Sequence, residues 1–313
     1  MLNRRFLRIK AFQALYGFSR EGGSNNAAYR KRMLDGLDKT FELYLFLLSF
    51  PQEFNNFLIT ELEGEKEKYY PSEEQKTLLQ ILSKNKVIHV VENNIAFKAA
   101  FKDSKLIWDN KFDLFRQIWS ELKVHELFLK YLKTPDHSLA EDKALVLGLT
   151  EWVCSESDAF EAYVEDRFSN WEDDQVLVLT TLQKTIQMLK ETSSKILPEK
   201  HKDEEEDLRF VKSLFDLCIQ KDSEFMQLIA SKTQNWDQDR IALVDLILMK
   251  MALCEVIHFP YIPIKVSINE YLELAKLYST PNSHGFINGI LDKVQQELRK
   301  ESKINKLGRG LVD

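Results

Sequence analysis

A chain of 313 residues with 44% hydrophobic and 29% charged side chains describes an ordinary soluble globular protein, large enough for two domains and a sizeable core. The formal charge of -6 argues against binding nucleic acid over the whole surface, and no apolar run reaches the roughly eighteen residues of a membrane span. That charge is unevenly divided, with +7 on residues 1–32, +3 on residues 293–313 and -16 between, so the basic ends either bind nucleic acid where they meet or are solvated tails.

The first residues, "MLNRRFLRIKAFQALYGF", carry charges inside an apolar stretch and lack a signal-peptide cleavage pattern, so a cytoplasmic location is expected. As a helix they put Leu7, Ala11, Ala14, Leu15 and Phe18 on one face and Arg5, Ile9, Phe12 and Tyr16 nearly opposite, with Arg8 and Gln13 flanking the second face. Arginines neutralise phosphates and aromatic rings stack on splayed bases, which suits single-stranded RNA; the other reading is a central helix buried on both sides, with Phe12 and Tyr16 in the core.

With 10 glycines, 7 prolines and no sustained alternation of β-branched residues, the chain reads as helix almost throughout, and the fold class is all-α. Breaks are expected at residues 21–26, 61–75, 133–138, 198–207, 258–263 and 279–283, which leaves lengths suited to antiparallel bundles. The stretch from Asp142 to Leu182 echoes that from Asp207 to Ile247 at an offset of 65 residues. Asn170, Trp171 and Asp174 fall on Asn235, Trp236 and Asp239, and Phe160 falls on Phe225, so two similar helical units are expected with the tryptophans in the core.

Chemistry is sparse. The six histidines are scattered without zinc spacing, and Cys154, Cys218 and Cys254 lie in apolar helical patterns, as buried thiols of a reducing compartment do. No phosphate loop, dinucleotide fingerprint or nucleophile elbow occurs, so neither an enzyme, a metal nor a cofactor is expected. Acidic clusters such as Asp173 with Asp174, and Glu204 to Glu206, read as solvated faces. One helix is unusual: in "NSHGFINGILDKV", from Asn282, the apolar stripe Ile287, Ile290, Leu291 and Val294 adjoins Gly285, Phe286, Gly289 and Lys293. Two glycines there weaken the helix by about 1 kcal/mol each relative to alanine, which suggests that something approaches closely.

From Asp207 onward the chain resembles the NusB family of transcription antitermination factors. The resemblance rests on Pro263, Lys265 with Val266, Ile268 to Glu270, Glu273 to Lys276, Ser283 with His284, and Phe286 to Asp292, and on "RRFLRIKAFQALYGF" at the other end. It implies two packed three-helix bundles, enlarged here by an inserted, partly duplicated helical region. The implied division is an N-terminal helix (1–20), an insertion (21–204), a C-terminal bundle (205–300) and a basic tail (301–313). It also implies a bacterial protein that binds the boxA element of ribosomal RNA transcripts together with NusE, a small-subunit ribosomal protein, and reaches the RNA polymerase elongation complex through other Nus factors. No catalysis, cofactor or membrane is implied. By position, the RNA contacts would be Arg4, Arg5, Arg8, Gln13, Tyr16, Asn282, Ser283, Phe286, Asn288 and Lys293, and the NusE surface would include Asp245. Asn282 stands where relatives usually carry an acid, and Gly285 where a base is common. Two other readings remain: a helical scaffold or ribosome-biogenesis adaptor without RNA binding, and the RNA-binding part of a ribosomal-RNA methyltransferase system.

Overall fold

A computed structural model describes residues 1–66, 78, 81, 83–133, 136–233 and 241–312, with the backbone alone for 62–66. All regular elements among them are helical, and none is long and apolar enough to cross a membrane. The chain divides into two compact units, residues 1–37 with 200–313 and residues 38–199.

Unit 1 begins with α1 (Arg4–Arg20), started by Asn3, whose side chain accepts from the Phe6 amide at 2.9 Å. Its apolar face, Phe6, Leu7, Ala11, Ala14 and Leu15, is buried, and so is Phe12 on the opposite side. The helix is therefore buried on two sides at mid-length, while Tyr16 remains 37% exposed. Next comes α2 (Asn26–Lys66), whose residues to Leu37 belong to this unit. Tyr29 packs on Gly17, where a Cβ would stand 2.8 Å from its ring, and Arg30 pairs with Asp216 at 3.1 Å. These contacts carry the first part of the bundle to Leu37, past the helix end at residue 20.

After residue 200, unit 1 continues with α10 (Glu204–Gln220), α11 (Asp222–Lys232), α12 (Leu243–His258), α13 (Ile264–Tyr278) and α14 (Ser283–Lys300). Helices α12, α13 and α14 contact one another, α10 lies against α1 and α11, and α12 packs against both groups. The tail is docked and not free in solvent. Lys306 Nζ donates to the Phe259 carbonyl at 3.0 Å, the Leu307 amide to the Pro260 carbonyl at 2.9 Å, and a Cβ on Gly310 would stand 1.9 Å from that oxygen.

Unit 2 holds the rest of α2 and then α3 (Lys86–Asn93), α4 (Ile95–Asp103), α5 (Lys111–Leu122), α6 (Glu126–Tyr131), α7 (Leu139–Glu156), α8 (Asp158–Glu165) and α9 (Trp171–Met188). Its core is aromatic: Phe46 stacks on Trp108 with centroids 4.0 Å apart, and Phe50 meets Phe160 at 4.9 Å. Pro51 lies inside α2, which continues through it. The repeat is visible in the elements, because α7, α8 and α9 are followed 65 residues later by α10, α11 and α12. Phe160 and Phe225 are both fully buried, as are Val164 and Ile229. Trp171 is buried, while Asn235, Trp236 and Asp239 lie outside the described residues. Asp174, expected on a solvated face, is fully buried: Thr40 Oγ1 donates to it at 2.7 Å and Asn170 Nδ2 at 2.6 Å, so its burial is satisfied.

Candidate nucleic-acid interface

The basic stretch of α1 lies against acidic side chains of its own unit. Arg4 pairs with Glu206 at 2.7 Å and Asp207 at 3.1 Å, and its guanidinium lies 4.4 Å over the Phe210 ring. Arg5 donates to Glu270 from Nε and Nη2, at 2.9 and 2.8 Å, and remains 48% exposed. That hydrogen bond from Arg5, against the effect of burial, holds the Glu270 carboxyl below its ordinary value.

Arg8 takes a different role from the RNA contact expected of it. Its side chain is 3% exposed and makes a two-pronged pair with Glu255, itself fully buried, at 2.7 and 2.8 Å. Ser267 Oγ and Tyr271 OH donate to the same carboxylate at 2.7 and 3.0 Å. Burial opposes the Arg8 charge, but its hydrogen bonds to Glu255 and the carboxylate's charge outweigh it and raise the pKa of Arg8 further. A second carboxylate, Glu270, lies 3.6 Å from Arg8, and a guanidinium this buried and paired cannot reach a phosphate, so Arg8 ties α1 to α12 and α13.

Further along α1 the surroundings become aromatic and uncharged. Phe12 meets Tyr278, the last residue of α13, at 5.1 Å, and Tyr16 at 6.3 Å. Gln13 is partly buried, and its Nε2 has no hydrogen-bond partner among the described residues. The turn after Tyr278 leads into α14, whose first residues include most of the second expected element. Asn282 precedes the helix without a side-chain cap, and Asn288 and Lys293 are exposed. Phe286 is half-buried, and open space surrounds the Cβ positions of Gly285 and Gly289. Both glycines therefore face outward, and no close packing within the fold requires them.

Two other expected contacts are internal. Ser283 is 5% exposed, and its hydroxyl bonds those of Ser279 and Thr280, each at 2.9 Å. Asp245, expected on the NusE surface, is also 5% exposed and accepts from Ser279 Oγ. Together they fix the corner between α13 and α14, because a short polar turn over a helix end satisfies its donors with the nearest hydroxyl and carboxylate groups.

The structure thus brings Arg4, Arg5, Tyr16 and the start of α14 into one unit, although 278 positions separate Arg4 from Asn282. Sequence reasoning missed Tyr278, and also the carboxylates that neutralise the arginines. One signal was available: Glu255 is the sole acid in "LILMKMALCEVIH", and a carboxylate in so apolar a helix needs a cation partner.

Beside α1 a groove of about 1120 Å³ opens, bounded by Arg4, Phe210, Ser213, Leu217, Phe259 and Tyr261. Arg209 and the docked tail's Arg309 stand on its rim. Burial lowers the pKa of His258, which lines the groove, and its Nε2 has no hydrogen-bond partner among the described residues.

The family model described as "NusB family" matches residues 175–296. The transcription antitermination protein NusB of Chloroherpeton thalassium is 40% identical over 104 residues, which are 33% of this chain and 49% of that protein. Its counterpart in Salinibacter ruber is 39% identical over 103 residues, 33% of this chain and 64% of that one. The Natranaerobius thermophilus protein is 44% identical over 82 residues, 26% and 57% of the two chains. The chain therefore spans about half to two thirds of the length of these curated relatives. No solved structure matches. The matched stretch runs from within α9 to within α14 and does not include α1, which packs onto it through α10 and α12. Over residues 175–296 the chain carries a NusB-family domain within an all-helical fold.

Proposed function

We propose that this chain is an RNA-binding antitermination factor that grips a boxA-type segment of ribosomal RNA jointly with NusE. The observation that supports it best is that α1 is packed against the family domain, with Arg5 on α13 and Phe12 on Tyr278, four positions before Asn282. Arg4 and Arg5 supply cations, Tyr16 and Phe286 supply rings, and the bare faces at Gly285 and Gly289 let a nucleotide backbone approach. The chemistry is exchange of ion pairs. RNA phosphates take the places of Glu206 and Glu270, and Arg8 stays with Glu255.

NusE enters as a second grip on the same strand, so affinity rises through a shared ligand. Since Asp245 is internal, its part in NusE binding is to hold the α13 to α14 corner. Through NusE and other Nus factors the complex joins the elongating polymerase.

The test is binding of a boxA-type RNA with and without NusE, across a salt series. Tighter binding with NusE is expected, with a log–log salt slope of about 0.7 for each phosphate neutralised. A slope near zero, or equal binding by an Arg4→Glu/Arg5→Glu variant, overturns the assignment. The scaffold reading draws on the charge of unit 2, where 29 acidic side chains face 19 basic ones for a net of -10. A chain that binds no RNA under any condition favours that reading.

A further inference from the structure

The 65-residue repeat supplies a counterpart for the groove beside α10, and in that counterpart the groove is filled. Phe210, Ser213 and Leu217, which line the groove, correspond to Leu145, Gly148 and Trp152 of α7. In unit 2 the short helix α6 covers that face. Leu127 methyl carbons lie 2.9 Å from where a Cβ on Gly148 would stand, and the His125 ring lies 5.3 Å from that of Trp152. Tyr131 OH donates to Asp142 at 2.6 Å, and Asp142 is the counterpart of Asp207. These contacts run from 125 to 131 against 152 to 142, so α6 lies antiparallel to α7, with Phe128 and Tyr131 buried.

In unit 1 the equivalent face is open, and Ser213 and Leu217 are only half-buried. Its charge is also telling. Arg209, ion-paired with Glu205, and Arg309 stand on the rim; Arg4 and Arg5, paired with Glu206 and Glu270, close one end; and no ion pair holds Arg309 among the described residues, which leaves it the open cation of the groove. A helix laid here as α6 lies on α7 turns its C-terminal end, the negative end of its dipole, toward Arg4.

We infer that the groove between α10 and residues 258–262 is a docking site for a short amphipathic helix of a partner protein, acidic on its outer face and antiparallel to α10. The partner's apolar side chains take the places of Leu127 and Phe128, and its outer carboxylates meet Arg209 and Arg309. Two differences from unit 2 shape the fit. Ser213 carries a Cβ where Gly148 has none, so the bound leucine rides higher, toward Phe259 and Tyr261. Arg4 already holds Asp207, so an acidic group replaces the tyrosine of α6 at that end.

The test is fluorescence anisotropy of the full chain with a labelled, capped peptide copying residues 124–133, in which Lys130→Glu and Lys133→Glu supply the acidic outer face. Saturable binding is expected, about tenfold tighter than for the peptide that keeps both lysines, and abolished by Leu127→Asp in the peptide. In the protein, Leu217→Arg is expected to weaken it about tenfold and Arg309→Glu several-fold. Tyr261→Ala, at a side chain already 67% exposed, gives a further readout that does not depend on folding. Absence of binding at about 1 mM peptide, or equal binding by the Leu217→Arg and Tyr261→Ala variants, overturns the inference. It also fails if a short single-stranded RNA, and not the peptide, protects Tyr261 and Phe259 from chemical labelling.

Discussion

Units 1 and 2 share three successive helices at a constant spacing yet differ in charge, +4 for unit 1, from 24 basic and 20 acidic side chains, against -10 for unit 2. They also differ in what answers a buried carboxylate. Asp207 in unit 1 meets Arg4, whereas its counterpart Asp142 meets the Tyr131 hydroxyl and the Lys86 amide. Glu255, at the heart of unit 1, lies beyond the repeated stretch, so the Arg8 pair belongs to unit 1 alone. The frame is kept by Phe160 and Phe225 and their neighbours, while the charged groups around it have been reassigned. A repeated apolar pattern preserves a bundle, and the polar positions decide what each copy binds.

The largest effect expected from breaking this comparison lies at Arg8. Arg8→Ala strands Glu255 inside unit 1 and is expected to cost about 3–5 kcal/mol in urea unfolding. The Arg8→Met/Glu255→Met pair is expected to recover most of that; a double variant as unstable as the single one contradicts the pairing. Nearly as large is the loss from Phe160→Ala or Phe225→Ala, each about 3–5 kcal/mol. Because both rings are fully buried, their costs are expected to agree within about 1 kcal/mol, and a wide gap means that the two copies are packed differently.

Smaller effects sharpen the contrast in binding. Arg4→Glu/Arg5→Glu is expected to lower RNA affinity about a hundredfold, while Lys84→Glu/Lys86→Glu in unit 2 leaves it unchanged. An equal loss in both variants means that the RNA is held by general charge and not by unit 1. Glu270→Gln removes a competitor for Arg5 and is expected to raise RNA affinity several-fold in a filter-binding titration. The same carboxyl sets a pH dependence. Its folded pKa lies below the ordinary 4.5, so its contribution to stability is present above that value and lost as pH falls through the folded one. Thermal unfolding of the native chain and Glu270→Gln is therefore expected to differ near neutral pH and to converge in acid.

Legibility followed the period of the side chains. Helices appear where apolar residues recur at three and four, and the breaks at 21–26, 258–263 and 279–283 carry the glycine, proline and asparagine that end helices. The break expected at 61–75 does not begin where expected, because α2 continues through 61–66; the rest of it lies outside the described residues, and Pro51 shows that a proline need not end a long packed helix. The repeat was readable because its aromatic and acidic markers keep one spacing. The fate of single charges was not readable. Arg4, Arg5 and Arg8 look alike in "RRFLR", and only their place around α1 relative to α10, α12 and α13 makes one a buried anchor and leaves two within reach of solvent.

The amino-acid sequence alone determined an all-helical chain, a repeated three-helix frame, and a family likeness concentrated after Asp207, because these depend on local period and on short motifs. Tertiary structure alone decided which carboxylate each arginine meets, that Ser283 and Asp245 turn inward, that the tail docks on Pro260, and that one copy of a shared groove is open while the other is filled. Such pairings join residues up to 265 positions apart, and no local pattern encodes which distant side chain will arrive at a given helix face.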